Sequence, residues 1–220
     1  MDLSPETMKV HVLKDSASGF CYINDIVLGI LKLREKYERI LYVDLDLHHG
    51  DGKYDCMLTL IFTMVMVGVE EAFSVTSKVL TFSVHKYAPG FFPGSGKLEN
   101  IGYGKGKYYT VNIPLMDGVR DSDFIPLVCR LLQKVRDVYK PEAVVCQCGA
   151  DGLAGDPTES FNLTHLALGR CVYFILSWGL KTLLLGGGKA CVIVFWKQIT
   201  VDTCMTFYKK ERENIEFFFF

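Results

Sequence analysis

The chain contains no Cys-x-x-Cys pair, although it has eight cysteines in 220 residues. That spacing is typical of structural zinc sites and of dithiol redox centres, and its absence argues against both. The sequence also shows no secretory leader. We therefore expect the cysteines to be reduced thiols in an intracellular protein.

Neither a strong charge excess nor a membrane-spanning hydrophobic run is present. The formal net charge is −1 and no basic stripe breaks that balance, which argues against direct nucleic-acid binding. The apolar run Met57–Val67 is far shorter than the ~20 residues that cross a bilayer, so we expect no membrane segment. Half of the residues are hydrophobic and 22% are charged, a composition typical of one globular domain.

Apolar periodicity divides the chain into alternating strands and helices. Helical spacing of apolar residues runs over residues 22–37 and 124–139 and returns after Thr164. Asp121 or Ser122 can cap the second of these helices, and Thr164 can cap the third. Short apolar runs predict β-strands at 40–47, 79–84, 108–113, 143–148 and 182–185. This order predicts an α/β fold of three layers, a mostly parallel sheet with helices on both faces.

Polar residues interrupt the strand predicted over 40–47 at every second position. Alternation along a strand would point Asp44, Asp46 and His48 to one face. Two unpaired buried carboxylates are costly, and a bound cation would neutralise them and take the imidazole as a ligand. The alternative is the solvent-facing side of an edge strand.

A second strand end supplies a matching carboxylate. Asp151 directly follows the strand predicted over 143–148, so it would lie at the same edge of a parallel sheet. Asp46, His48 and Asp151 would form a site of three mixed N/O ligands with an open position, which is typical of a catalytic divalent metal. Taken alone, Asp151 could equally be a turn-forming residue at a strand end.

Five ordered stretches resemble a known family. They are Lys-Asp-Ser-Ala-Ser-Gly-Phe-Cys-Tyr (14–22), Tyr-Val-Asp-Leu-Asp-Leu-His-His-Gly-Asp-Gly (42–52), His-Lys-Tyr-Ala-Pro-Gly-Phe-Phe-Pro-Gly (85–94), Gly-Ala-Asp-Gly-Leu-Ala-Gly-Asp-Pro (149–157) and Leu-Gly-Gly-Gly (185–188). In these motifs the chain resembles the class I zinc-dependent histone deacetylases. The resemblance implies the arginase/deacetylase form of the fold, incomplete at both ends. It implies one partial catalytic domain over 1–220, family-like at 14–52 and 69–188, with an insertion at 53–68 and an unrelated tail at 189–220.

The resemblance also assigns roles to residues. It implies a catalytic zinc ion on Asp46, His48 and Asp151. It also implies a narrow channel for the acetyl-lysine side chain, with Phe20 and Phe92 as its walls and Gly19 at its rim.

Further family positions concern proton transfer and potassium. His11 matches the general base, with Asp51 as its orienting partner. Asp44 and Ser83 match family positions around a structural potassium ion. The positions of Asp46 and His48 also lie around that ion in the family. A second potassium site is matched mostly through carbonyls, by Phe73, Thr76, Val79 and Tyr109.

The chain departs from the family pattern at two catalytic positions. Val10 stands where the family has the first of two adjacent histidines, and no tyrosine follows Gly188 until Tyr208, so the oxyanion donor is missing. Both the insertion and the tail begin with a Gly-Lys pair, at Gly52-Lys53 and Gly188-Lys189, which can be encoded by a splice-donor sequence. Our hypothesis is that both segments are retained intron sequence.

The resemblance implies hydrolysis of ε-N-acetyl-lysine in histones or other proteins, in the nucleus and cytoplasm, with low or lost activity in this chain. One alternative is an inactive variant that only binds or competes for partners. Another is a deacetylase of small amides such as acetylated polyamines, which the class I-like motifs disfavour. Outside the site, we expect His49 and His85 to be structural, His165 to face solvent and Cys148 to be a core thiol.

Overall fold

The structure is a computed structural model that describes residues 24–50 and 68–187, with the backbone of residues 12–13, 16–17 and 215–218. The strands are β1 (Val12–Leu13), β2 (Ser16–Ala17), β3 (Ile40–Asp44), β4 (Val79–Lys86), β5 (Thr110–Leu115), β6 (Ala143–Gly149), β7 (Lys181–Gly187) and β8 (Ile215–Phe218). The helices are α1 (Asp25–Arg34), α2 (Val69–Phe73), α3 (Asp121–Tyr139) and α4 (His165–Leu176), with a 3₁₀ turn at Gly104–Gly106.

Six strands form one parallel sheet in the order β5-β4-β3-β6-β7-β8. β1 and β2 form a separate antiparallel pair. The predicted parallel α/β sheet is confirmed, because strands separated by helices run in the same direction. β8 lies in the segment predicted to be an unrelated tail, and its backbone pairs with β7 along the sheet edge.

Strand alternation divides the core into two faces. On β3, Leu41 and Val43 belong to the cluster that contains α3 and α4, whereas Ile40 and Tyr42 pack with α1 and α2. Successive side chains of a strand point to opposite faces, so one buried strand contributes to both layers. The predicted three-layer arrangement, with helices on both faces, is therefore confirmed.

Side-chain caps begin two of the four described α-helices. Asn24 caps α1 by accepting a hydrogen bond from the Val27 amide, and Thr164 caps α4 as predicted, accepting from the Leu166 amide. The predicted cap of α3 is wrong: its N-cap is Arg120, without a side-chain cap bond. Asp121 lies in the first turn instead, where its carboxylate accepts from the amide and hydroxyl of Thr164.

The strand predicted over 40–47 ends at Asp44. Asp46 and His48 lie in the bends after this strand, so the alternation of side chains along a strand does not determine the direction in which they point. Their backbone turns because carboxylates accept amide hydrogens two residues ahead: Asp44 from the Asp46 amide at 3.1 Å and Asp46 from the His48 amide at 2.9 Å. Such Asx turns are a local alternative to strand pairing.

Candidate metal centre

The ligands predicted from two strand ends meet at the carboxyl edge of the sheet. β3 and β6 are adjacent and parallel, with Asp44 opposite Gln147, so the chain leaving each strand enters the same region. One ligand atom from each of Asp46, His48 and Asp151 lies within 4.8 Å of the other two. Among the described residues, this is the one group of three or more such side chains that could hold a metal ion.

One hydrogen bond and one longer ionic contact connect these three side chains. Nδ1 of His48 is 2.7 Å from Oδ2 of Asp151 and 3.6 Å from Oδ1 of Asp46. The Leu47 amide donates to Oδ1 of Asp151 at 3.0 Å, which connects the loop after β3 to the loop after β6. The site is thus built across two loops that the parallel sheet brings together.

The three side chains shift one another's pKa. Burial and the neighbouring charge of Asp151 raise the pKa of Asp46 to about 8. Burial opposes the charged form of His48, but its contacts with the carboxylates of Asp151 and Asp46 outweigh it and raise its pKa to about 10. Burial likewise opposes the Asp151 carboxylate, yet its contacts with His48, Asp46 and the Leu47 amide leave its pKa lowered. These shifts show that the crowded carboxylates favour a bound positive charge, which either a proton or a metal ion can supply.

Aromatic rings cover one side of His48. The Phe91 ring stacks on the imidazole with centroids 5.2 Å apart and planes within 9°, and the Phe92 ring meets it edge-on at 6.2 Å. Phe92 is 47% exposed, so it forms part of the surface beside the cluster. Lys86 Nζ lies 4.2 Å from the centre of the Phe91 ring and bonds with Asp117 and Ser160.

Some of these neighbours were not predicted from the sequence. Phe91 was named only as a family motif residue, and Gln147, whose amide is 3.3 Å from Oδ2 of Asp46, was not singled out. Gly149 too was named only as a family motif residue, although a Cβ there would lie 1.9 Å from Oδ2 of Asp46. A glycine directly before the predicted ligand loop was the available signal for such a close approach.

Asp44 lies beside the cluster but has its own partners. It is buried, and its Oδ2 accepts a hydrogen bond from the Tyr42 hydroxyl at 2.7 Å. Burial raises its pKa to about 6, although the bonds from Tyr42 and the Asp46 amide act in the opposite direction. Asp44 pairs in register with Ser83 on β4. The two residues matched to a potassium site are therefore neighbours on adjacent strands.

The residues matched to a second potassium site come from adjoining segments. Phe73 ends α2 and its carbonyl accepts from the Thr76 amide at 3.1 Å. Val79 begins β4, and the Tyr109 carbonyl accepts from the Thr81 amide of that strand at 3.0 Å. Backbone oxygens thus occur around this end of β4.

The two other histidines form a buried pair, as expected of structural residues. His49 and His85 have ring centroids 4.4 Å apart. His49 contacts Glu70 at 2.8 Å and Ser95 at 2.9 Å, while His85 contacts Ser83 at 2.9 Å and the Gly96 carbonyl at 2.8 Å. The predictions for His165, which is exposed, and Cys148, which is buried, are confirmed.

Four predicted site residues lie outside the described residues: His11, Gly19, Phe20 and Asp51. The same holds for residues 53–67 of the predicted insertion and for the tail apart from the β8 backbone. No helix in the described part of the chain combines the length and apolar character required to cross a membrane.

Comparison with known proteins identifies the family. The histone deacetylase domain model matches residues 10–194, a range that includes His11 and the predicted insertion. The chain is 54% identical over 178 residues to histone deacetylase 8 of Xenopus tropicalis. The matched region covers 81% of this chain and 44% of that protein. Histone deacetylase 8 of Danio rerio is also 54% identical, with 43% of its length covered.

Human histone deacetylase 1 is 48% identical over the same length of 178 residues, with 33% of its own length covered. The chain thus spans less than half the length of these relatives. The α/β fold and the Asp-His-Asp cluster agree with the family that the motifs indicated. Together, the domain match, the identities and the parallel sheet establish that this chain belongs to the histone deacetylase family.

Proposed function

We propose that this chain is a zinc-dependent deacetylase of ε-N-acetyl-lysine in proteins, with activity reduced by its own sequence changes. The observation that carries the proposal is the convergence of Asp46, His48 and Asp151 within 4.8 Å in a chain of this family. Three mixed N/O ligands with an open position suit a catalytic zinc ion better than a structural one, which four ligands usually close.

A zinc ion held by these residues supplies Lewis acidity toward an amide carbonyl and toward water. The protein must keep the ligands in place. The Leu47 amide orients Asp151, the His48 amide orients Asp46, and the Phe91 ring fixes the plane of the His48 imidazole. Such neighbours are needed because a ligand that can rotate away binds its metal more weakly.

The substrate side chain would enter beside Phe92. Its exposed ring lies next to His48, and an aromatic wall suits the methylene chain of an acetylated lysine. In this proposal Phe20 forms the opposite wall and Gly19 the rim. His11, oriented by Asp51, accepts the proton of the attacking water. The partner is an acetylated histone or another acetyl-lysine protein in the nucleus or cytoplasm, without direct contact to nucleic acid or membrane.

Potassium ions complete the proposed site. Asp44 and Ser83 would hold the first one beside the zinc ligands, where a cation offsets the burial of the Asp44 carboxylate. The second would lie among the carbonyls of Phe73, Thr76, Val79 and Tyr109, at the beginning of β4.

Reduced activity follows from two positions. Ala190 stands two residues after Gly188, where the family has the tyrosine that donates to the developing oxyanion, and loss of one such donor typically lowers the rate by ~10²–10³. Val10 also leaves the histidine pair incomplete. These changes favour, as a second candidate function, an inactive variant that still binds zinc or acetyl-lysine and competes for partners.

Metal analysis combined with an acetyl-lysine peptide assay tests the proposal. The purified full chain should bind about one equivalent of zinc, and Asp46→Ala or His48→Ala should abolish binding. His165→Ala, an exposed histidine at the start of α4, is the matched control and should keep the metal. Folding of each variant is checked by circular dichroism.

The assay then separates the two candidates. Slow, chelator-sensitive hydrolysis, lower by ~10² or more than that of an intact family member, supports the deacetylase. Zinc binding without turnover supports the inactive variant. Folded protein that binds no zinc contradicts the deacetylase, and it contradicts the inactive variant as well if an acetyl-lysine peptide does not bind.

A further inference from the structure

The rings of Phe91 and Phe92 lie on a loop that is closed at its base. This wall loop comprises residues 87–94 and follows β4. His85 lies on β4 two residues before the loop, and its Nε2 is 2.8 Å from the carbonyl oxygen of Gly96, two residues after it. A carbonyl oxygen only accepts hydrogen bonds, so this ring nitrogen is the donor. One side chain thus joins the two ends of the wall loop.

A second histidine reaches the same end of the loop from the metal centre. His49 directly follows the candidate ligand His48. Its Nδ1 is 2.9 Å from the hydroxyl oxygen of Ser95, and its ring centroid is 4.4 Å from that of His85. Its Nε2 donates to the Glu70 carboxylate of α2 at 2.8 Å, which holds the imidazole from the other side. The end of the wall loop is therefore fastened to the segment that supplies a metal ligand.

The backbone at Gly96 fits closely between the two imidazoles. A Cβ at Gly96 would lie 2.3 Å from Nε2 of His85 and 2.7 Å from Cδ2 of His49. Its φ of +81° also lies in the region that favours glycine. Both histidines are fully buried, and buried side chains in close packing have little freedom to move. The two rings therefore leave one position for the chain that ends the wall loop.

The wall loop meets the metal centre again at its aromatic rings. Phe91 stacks on the His48 imidazole, and Phe92 lies edge-on to the same ring at 6.2 Å. A closed circuit of contacts thus runs from His48 through its neighbour His49 to the loop, and back to His48 through Phe91. Displacing the loop would break contacts at both its base and its rings. Such support from behind keeps a binding group within the narrow limits that function requires.

We propose that His49 and His85 are positioning residues, which hold Phe92 beside the metal ligands and thereby determine how well the channel binds the acetyl-lysine side chain. This inference rests on the proposed function, because it takes Phe92 as a wall of that channel. Neither histidine is one of the two catalytic positions at which this chain departs from the family pattern, Val10 and Ala190. Side-chain binding in the channel should therefore persist in this chain although its turnover is reduced.

Hydrogen exchange of the folded full chain tests the positioning without metal or peptide. Ser95→Ala removes the hydroxyl that contacts His49, so the amides of the wall loop should exchange ~3- to 10-fold faster, the effect of losing about one hydrogen bond. Ser95→Thr keeps a hydroxyl and should retain slow exchange. Ser177→Ala, which removes a hydroxyl bond at the end of α4, is the matched control. Exchange in β3 and β6 should stay unchanged, which separates a local effect from a loss of overall stability.

Gly96→Ala tests the same end of the loop through the two rings. Its Cβ would force the imidazoles and the backbone apart, so exchange of the wall loop should rise at least as much as in Ser95→Ala. Gly179→Ala is the matched control, because its φ of +67° brings similar backbone strain but its Cβ would meet nothing within 4 Å. Both test variants act from the loop and leave His49 and the ligand beside it unchanged.

Peptide binding connects the loop with the channel. The zinc-loaded chain is titrated with a fluorescent acetyl-lysine peptide, and Ser95→Ala should raise its Kd by ~3-fold or more. Metal titration should show nearly unchanged zinc affinity, because the substitution touches no ligand. A general loss of stability would not separate these two affinities.

Two results would overturn the inference. One is unchanged exchange of the wall loop in both Ser95→Ala and Gly96→Ala. The other is unchanged peptide affinity in variants whose loop exchanges faster. Failure of the proposed function gives a different result: the unmodified zinc-loaded chain then binds no acetyl-lysine peptide, whereas the loop still responds to Ser95→Ala. That outcome would support the positioning of the loop and reject the channel.

Discussion

Gly149 and Asp46 are packed so closely that no side chain fits between them. A Cβ at Gly149 would lie 1.9 Å from Oδ2 of Asp46 and 2.6 Å from its carboxyl carbon. Gly149 is the last residue of β6, and Asp46 follows β3, the neighbouring strand. The absence of a side chain on one strand therefore makes room for a predicted metal ligand that follows the other.

Gly149→Ala should accordingly displace the Asp46 carboxylate and lower zinc affinity by ~10-fold or more, since disturbing a ligand's surroundings typically costs that much. Competition with a chromogenic chelator measures the affinity. Gly152→Ala is the matched control, because its Cβ would meet its nearest neighbour, Phe161, at 3.4 Å, an ordinary contact. Equal affinities for the two variants would show that Asp46 is not held as described.

Phe91→Ala and Phe92→Ala should have different effects although the residues are adjacent. Phe91 stacks on His48 and lies beneath Lys86, so its loss should weaken zinc binding and destabilise the fold by ~1–3 kcal/mol. Phe92 is 47% exposed, and its loss should leave zinc binding and stability nearly unchanged while raising KM for an acetyl-lysine peptide. Urea unfolding, metal titration and steady-state kinetics distinguish the two. Matching losses of zinc affinity would contradict the assignment.

The stability of the fold should fall with pH partly because of His85. Burial, reinforced by the neighbouring His49, lowers its pKa from 6.5 to about 3, despite the bond with Gly96. The folded-state pKa is the lower one, so between these values the unfolded chain binds a proton that the folded chain does not. Stability is therefore lost as pH falls below about 6.5, by ~1.4 kcal/mol per unit, until the folded-state pKa is reached.

Urea unfolding at about pH 7 and about pH 5.5 measures this dependence. His85→Gln should lose less stability over the interval than the unmodified chain. The exposed His165→Gln should behave like the unmodified chain. If the stability of His85→Gln depends on pH as strongly as that of the unmodified chain, His85 does not cause the loss of stability at low pH.

Asp121→Ala should destabilise the chain by about 1 kcal/mol, because its carboxylate accepts from both the amide and the hydroxyl of Thr164 at the start of α4. Asp123→Ala is the control. Asp123 is an exposed acidic residue in the same first turn of α3, so both substitutions remove similar charge from that helix end. Chemical denaturation should show the larger loss for Asp121→Ala, and equal losses would contradict a role for the contact with Thr164.

Much of the fold could be predicted from local patterns. Apolar spacing identified α3, α4 and the five strands from β3 to β7, and the Thr164 cap was correct because a cap depends on residues within one turn. The strand over 40–47 was predicted too long, because alternation of side chains does not reveal the Asx turns that begin at Asp44. The pairing of β8 with β7 was also not predicted, since an edge pairing depends on distant chain segments.

The candidate site likewise depends partly on local sequence and partly on contacts between distant segments. The sequence by itself determined which residues are candidate metal ligands, because Asp46, His48 and Asp151 each follow an apolar strand in motifs of the family. Only the tertiary structure decided that they meet, through the parallel register that sets Asp44 beside Gln147. It also decided which neighbours support them, from the stacking of Phe91 on His48 to the space left by Gly149. The physical reason is that residue types are local, whereas contacts between residues about a hundred positions apart exist only once the sheet has brought the strands together.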